Sequence, residues 1–207
     1  MVLLSSLSIT QDLLAKQFDQ IPSERKEIVS QLTNFVQKKV QANEKVYLNF
    51  ICTHNSRRSH LSQLWAQAAA YYYDIPGVEC FSGGTEATAF NPRAVKAMRE
   101  AGFDITTTKE GDNPVYAVRY AQDAPLVIAF SKKYDDPFNP NADFAAVMTC
   151  SHADENCPLV TGASARIALT YHDPKEFDDT ALESVMYKER VHEIGREILF
   201  AFSQVKS

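Results

Sequence analysis

VYLNFICTHNSRRS, residues 46–59, sets a short apolar run against a polar loop. Val46 to Cys52 has the length and the β-branched and aromatic content of a strand. The loop leads into a helix with Leu61, Leu64, Trp65, Ala68, Ala69 and Tyr72 on one face. The same alternation recurs outward from this segment. VECFSGG (Val78 to Gly84) reads as a second strand, followed by a helix that opens at Asn91 with Pro92 in its first turn and stops near Gly102. FAAVMTC (Phe144 to Cys150) and ARIALTY (Ala165 to Tyr171) read as two more strands. A helix from about Thr180 to Phe202 then shows Tyr187, Val191, Ile194, Ile198 and Phe202 as its stripe. The pattern predicts an α/β fold, a four-stranded parallel sheet with helices on both faces, whose ligands bind beyond the carboxyl ends of the strands. VYAVRY (Val115 to Tyr120) and PLVIAFS (Pro125 to Ser131), separated by AQDA, predict a β-hairpin inserted at about 114–131.

Residues 1–45 read as a helical extension ahead of a catalytic unit spanning 46–207. Ser8 and Gln11 have capping-box spacing before Leu14 and Phe18, and Pro22 interrupts. The helix after Ser23 carries Ile28, Leu32, Phe35, Val36 and Val40 on one face, expected to pack on the main domain or on a partner. The 207 residues are 45% hydrophobic and 23% charged, enough to bury a core without staples. With only 7 glycines, glycine-rich nucleotide loops and low-complexity linkers are excluded. A net charge of -5, without a basic run, excludes a nucleic-acid surface but leaves room for a locally positive anion site. MVLLSSLSIT lacks a cationic start, and Asp12 and Lys16 interrupt it, so neither a signal peptide nor a membrane segment is expected. The expected location is cytoplasmic, where Cys52, Cys80, Cys150 and Cys157 are thiols.

Cys52 ends the first strand and opens the loop Cys52-Thr53-His54-Asn55-Ser56-Arg57-Arg58-Ser59. A strand-to-helix loop converges backbone N–H groups on one point, and the helix dipole adds positive potential. That is an anion cradle, and its potential favours the thiolate of Cys52. Arg58, at Cys-x5-Arg spacing, comes round opposite the sulfur and offers a planar fork to two oxyanion oxygens. Thr53, His54, Asn55, Ser56, Arg57 and Ser59 are the expected oxyanion-binding and loop-support positions. Among them, the Ser59 hydroxyl can donate to the thiolate, and the Asn55 amide can pin the loop's unusual backbone. Arg57 adds charge, either on a solvated face or recruiting substrate.

CTHNSRRS, with FSGGTEA (Phe81 to Ala87) and NPRAVKAM (Asn91 to Met98), resembles the low-molecular-weight protein tyrosine phosphatases and the thioredoxin-coupled arsenate reductases built on the same fold. The resemblance implies a flavodoxin-like sheet; no bound cofactor is expected, and no residue is assigned as a metal ligand. It also implies that Asp173, of Asp173-Pro174 on the loop after the last strand, is the general acid, although Asp-Pro is also common in plain turns. His54 and Arg57 stand where the arsenate reductases commonly show glycine and cysteine. Gln63 stands where some members have a glutamate that helps bind potassium.

The segment CSHADENCP, Cys150 to Pro158, separates the two chemistries. A phosphatase has no use for these further thiols. A reductase needs one to displace arsenite and accept the electrons. By resemblance, Cys150 attacks the Cys52–arsenic adduct to give a Cys52–Cys150 disulfide, Cys157 then attacks Cys150, and thioredoxin reduces the Cys150–Cys157 disulfide. Read on the residues alone, Cys150 also suits a core position and Cys157 an exposed thiol, and a zinc site with His152 is a third reading, though Cys-x6-Cys is not a usual ligand pairing. A bridge across seven positions requires helix to unwind, since one turn takes about 3.6 residues and bonded sulfurs lie about 2 Å apart. A polar segment bounded by Pro158 can open locally and expose the disulfide to a reductase. Cys80 reads as core, and His152, His172 and His192 as surface or packing residues.

Three functions are therefore expected in order: an arsenate reductase using Cys52, Arg58, Asp173, Cys150 and Cys157 with thioredoxin as partner; a phosphatase acting on phosphotyrosine or small phosphate esters; and a non-catalytic oxyanion- or arsenite-binding protein. A homodimer through the N-terminal helices or the hairpin is compatible with each.

Overall fold

A computed structural model of the chain describes residues 1–156 and 159–206. Its elements run α1 (Ser5–Ala15), α2 (Ser23–Gln41), β1 (Val46–Cys52), α3 (Arg58–Tyr72), β2 (Val78–Gly84), α4 (Pro92–Glu100), β3 (Asp104–Lys109), β4 (Val115–Arg119), β5 (Val127–Ala129), β6 (Phe144–Met148), α5 (Ser151–Asn156), β7 (Ala163–Ala168) and α6 (Glu183–Ser203). A short 3-10 turn lies at Pro174–Phe177. The four expected strands form one parallel sheet in the order β2-β1-β6-β7. The register pairs Cys52 with Gly84 and Ile51 with Met148, so the carboxyl ends of β1, β2 and β6 finish together.

Strand alternation divides β1 between two apolar clusters. Val46, Leu48 and Phe50 face the main core, built with Leu61, Leu64 and Trp65 of α3 and Ile194 and Ile198 of α6. Ile51 faces a smaller cluster with Phe144, Ala146, Met148, Ala153 and Val160. The sheet is thus flanked unequally: long helices cover one face, while the six-residue α5 and neighbouring loops cover the other. Gly195 lets α6 approach α3, because a Cβ there would lie 2.6 Å from the Trp65 ring. Outer strand β2 does not leave its backbone open. Gln67 accepts from Cys80 N (2.9 Å) and donates to Val78 O (3.2 Å), Gln63 donates to Cys80 O (2.9 Å), and Asn139 donates to Ser82 O (3.1 Å).

Four expectations are corrected. The hairpin is part of a separate three-stranded antiparallel sheet, β3-β4-β5, because Asp104–Lys109 adds a strand that the apolar pattern did not show. Ser8 is no cap: α1 starts at Ser5, where Leu4 N donates to Tyr120 O (2.9 Å), and the Ser8 hydroxyl donates back to Leu3 O (3.4 Å). The fourth strand ends at Ala168, not at Tyr171. Beyond it Tyr171 N still donates to Thr149 O (3.1 Å), but the carbonyls serve side chains, with Thr170 O accepting from Arg25 (3.0 Å) and Tyr171 O from Arg58 (2.9 Å). The final helix begins at Glu183 rather than Thr180, since Thr180 belongs to a turn whose hydroxyl accepts from Leu182 N (3.2 Å).

Residues 1–45 are packed against the rest of the chain. Leu7, Leu14, Val29, Leu32 and Val36 are fully buried in the same core as the sheet. Arg25 of α2 holds Glu197 of α6 through two bonds of 2.9 Å and lies over the Tyr171 ring. No helix among the described residues is long and apolar enough to cross a membrane.

Candidate active site

The carboxyl end of β1 turns into α3 through residues 53–57, with Asn55 in the left-handed region at φ 45°. An asparagine tolerates that conformation better than most residues, and here its side chain is held at both ends. Asn55 Nδ2 donates to Ser59 Oγ (2.8 Å), and Asn55 Oδ1 accepts from Lys132 N (2.9 Å). Since Ser59 Oγ already accepts from Asn55, its own proton is available to the Cys52 sulfur 3.1 Å away. The loop's carbonyls are held outward. Cys52 O accepts from Thr85 N, Thr53 O from Glu86 N, His54 O from the hydroxyls of Thr88 and Ser131, and Ser56 O from Asn91 N. This leaves the N–H edges of those peptides for an anion above the buried Cys52. Gly84 is required for the construction: a Cβ there would lie 2.6 Å from Asn55 N and 2.7 Å from Thr53 O.

The two adjacent arginines do different things. Arg58 Nη1 donates to Tyr171 O (2.9 Å) and Nη2 to Asp173 Oδ2 (2.6 Å), while its buried Nε has no hydrogen-bond partner. Asp173 Oδ1 also accepts from Lys175 N (3.0 Å) and so caps the 3-10 turn. Arg57, expected on a solvated face or recruiting substrate, is instead largely buried against the segment after β7. Its Nε donates to Tyr187 Oη (2.6 Å) and its Nη2 to Asp178 Oδ2 (3.0 Å), while Tyr187 Oη donates to Asp178 Oδ1 (2.7 Å). Burial, and then Asp178 accepting from the phenol, pushes Tyr187 up to about 12, so it remains a donor at any ordinary pH.

Cys150 follows β6, is 1% exposed, and shares the smaller cluster with Cys52. Its sulfur lies 3.5 Å from Thr53 Oγ1 and accepts from Ala153 N (3.4 Å). Thr53 Oγ1 is also 3.3 Å from Nδ1 of His152, which is therefore engaged with the loop and not merely a surface residue. The structure thus brings Cys52, Thr53, Asn55, Ser59, Arg58, Asp173 and Cys150 into one neighbourhood. Cys157 lies outside the described residues. His54 is half-exposed and sits 3.5 Å from Glu86. Gln63 is committed to the β2 backbone, and burial pushes the Cys80 thiol well above its usual range, in keeping with a core residue.

Sequence reasoning missed four supports. Ser131 and Lys132, just beyond β5, bind the loop at His54 O and Asn55 Oδ1. His60 is fully buried beside Ser82 Oγ (3.2 Å) and stacked on Phe90, and burial followed by the nearby Lys132 charge holds it well below the usual imidazole range. Tyr187 reads in sequence only as part of a core stripe, yet its hydroxyl binds Arg57 and Asp178. None carries a local signal, because each reaches the loop from a distant segment or from inside a helix pattern.

No protein-family model matches the chain. Among solved structures, a low-molecular-weight phosphotyrosine phosphatase from Vibrio cholerae O395 superposes with a TM-score of 0.50 at 11% identity, covering 76% of this chain and 94% of that one, a likeness of fold. Sequence relatives are nearer. An arsenate reductase of Bacillus subtilis is 30% identical over 156 residues, 75% of this chain and 94% of the relative. An arsenate reductase of Shouchella clausii is 33% identical over 155 residues, 74% of this chain and 93% of the relative. With that identity across nearly the full length of those relatives, on a phosphatase-like sheet, the chain belongs to the arsenate reductase family.

Proposed function

We propose that this protein reduces arsenate to arsenite, with Cys52 as nucleophile, Arg58 as oxyanion binder, Asp173 as acid and Cys150 as the second thiol. The observation that carries this reading is the placement of Cys150. A second buried thiol stands at the end of the neighbouring strand, within reach of the residue that follows Cys52, where hydrolysis would have no use for it. The Cys52 thiolate attacks arsenic, and an arsenate oxygen leaves as water with a proton from Asp173. Cys150 thiolate then attacks the Cys52 sulfur. The sulfur–sulfur bond forms, the electron pair of the sulfur–arsenic bond stays on arsenic, and arsenite departs.

Arg58 supports this scheme by its present partners. With Nε unpartnered and Nη2 on Asp173, an incoming oxyanion takes the guanidinium and frees the carboxyl for proton transfer. Cys157 is the proposed next thiol, and a dithiol protein such as thioredoxin the electron donor, which fits a reducing cytoplasmic setting. We read 46–207 as the catalytic unit and 1–45 as a helical extension that braces it.

The test supplies purified protein with arsenate, thioredoxin, thioredoxin reductase and NADPH, and follows NADPH oxidation beside aryl-phosphate hydrolysis. Arsenate-dependent oxidation is expected in the unmodified chain and is lost in Cys52→Ser and Cys150→Ser. Hydrolysis that survives Cys150→Ser and Cys157→Ser, with no arsenate-dependent oxidation in the unmodified chain, would establish the phosphatase reading instead. Anion binding without turnover of either substrate would indicate a binding protein.

A further inference from the structure

A thiol must lose its proton before it can attack, and Cys150 is 1% exposed. Its proton therefore needs a route to solvent. The hydrogen bonds around it supply one: Cys150 Sγ to Thr53 Oγ1 at 3.5 Å, then Thr53 Oγ1 to Nδ1 of His152, an exposed residue, at 3.3 Å. We propose that His152 takes the Cys150 proton through the Thr53 hydroxyl, which makes it a positioning and proton-accepting residue for the second thiol. The role of that thiol in arsenate reduction rests on the function proposed above.

The proton movement balances. In the resting arrangement Cys150 S–H donates to Thr53 Oγ1, and Thr53 O–H donates to His152 Nδ1, which requires the tautomer with its hydrogen on Nε2. Transfer moves the thiol proton onto Thr53 as Thr53 passes its own to Nδ1. The result is an imidazolium, an unchanged hydroxyl that now donates to sulfur, and a thiolate that also accepts from Ala153 N–H. No oxidant or reductant is involved, and the imidazolium returns its proton to solvent or to the departing arsenite.

Neighbouring charges do not replace this route. On α5 itself, Asp154 is paired with Arg166 of β7 at 2.6 Å, and Glu155 is exposed. On the catalytic loop, His54 sits beside Glu86, and the Cys52 sulfur is paired with Ser59. From the segment after β7, Asp173 is held by Arg58, and His172 is exposed. Of these groups, His152 is the imidazole hydrogen-bonded to the residue that touches the Cys150 sulfur.

The experiment uses the full-length chain carrying Cys52→Ser and Cys157→Ser. Cys80 stays silent there because burial keeps its thiol protonated. The ultraviolet absorbance of the Cys150 thiolate is followed against pH in this parent and in chains that add His152→Asn, Thr53→Val or Thr53→Ser. The expected result is that His152→Asn and Thr53→Val each move the rise by about one pH unit to the alkaline side, about tenfold less thiolate at neutral pH, while Thr53→Ser follows the parent. A rise at the same pH in all four chains overturns the proposal. A second measurement uses Cys157→Ser with Cys52 present, counting arsenite and the Cys52–Cys150 disulfide in a single turnover, where His152→Asn should be about tenfold slower at neutral pH and regain its rate in alkali. If no chain releases arsenite while the thiolate rise follows His152, the reductase reading falls and the proton route stands. If arsenite is released and the rise ignores His152, the route falls and the reductase reading stands.

Discussion

Asn55 and Lys132 show what single positions contribute to the loop. The spacing of Cys52 and Arg58, and the polar Asn55 and Ser59 between a strand and a helix, are legible because all lie within one turn of chain. Lys132 is not, since its part depends on chain closure over a separation of 77 residues. Its backbone N–H holds Asn55, while its ammonium is buried over the Phe130 and Phe138 rings. Burial lowers Lys132 to about 8 from the ordinary lysine value of 10.5. The unfolded chain thus binds more protons than the folded one between those values, and this group makes stability rise with pH across that window. Below pH 8 both states are protonated, and the full cost of burying the charge is present, about 3 kcal/mol at most. We expect Lys132→Met, which keeps the backbone donor, to lack this rise. Denaturant unfolding of both chains at several pH values checks it, since their stability difference should shrink as pH climbs from 8 towards 10.

The segment after β7 has short-range turns of its own, such as Asp178 N to Lys175 O (3.0 Å), and is also gripped from outside by three arginines. Arg58 takes its start at Asp173 and Arg57 its middle at Asp178, while Arg93 of α4 binds Asp179 at 2.5 Å and Glu183 at 2.7 Å. Arg57→Ala leaves Asp178 and Tyr187 half-satisfied and should cost about 1–2 kcal/mol. Because the loosened segment carries Asp173, kcat should fall more than the affinity for arsenate. Thermal unfolding with steady-state kinetics measures both effects, and an unchanged kcat would show that the grip is only structural. The clamp is illegible in sequence, where Asp178, Asp179 and Glu183 look like ordinary surface carboxylates. β3 was missed for a different reason. Ile105 is its one buried apolar residue and Thr106, Thr107 and Thr108 follow, so an edge strand of a small sheet shows almost no alternation.

At the scale of the whole chain, the helices before β1 are part of the frame of the site. Arg25 of α2 lies over Tyr171, whose carbonyl receives Arg58, so a path of contacts runs from the N-terminal segment to the oxyanion position. The apolar faces of these helices were legible, but the surface they would cover was not, because periodicity marks a buried face without saying what buries it. Leu7, Leu14, Val29, Leu32 and Val36 each bury about 1.5–3 kcal/mol of apolar surface, together comparable to the roughly 5–15 kcal/mol net stability of a domain. A chain beginning at residue 46 should therefore unfold far more readily than the full chain, and its circular dichroism and melting curve would show it. The amides of Gln63, Gln67 and Asn139 along β2 have their own consequence for the molecule in a crowded solution. An open outer strand is a template on which another chain can lay down a further strand, and here that template is already occupied by side chains. Gln67→Leu combined with Asn139→Ala should leave the chain's own sheet intact yet turn it into a seed for further association. Light scattering at rising concentration would reveal that change before any loss of fold.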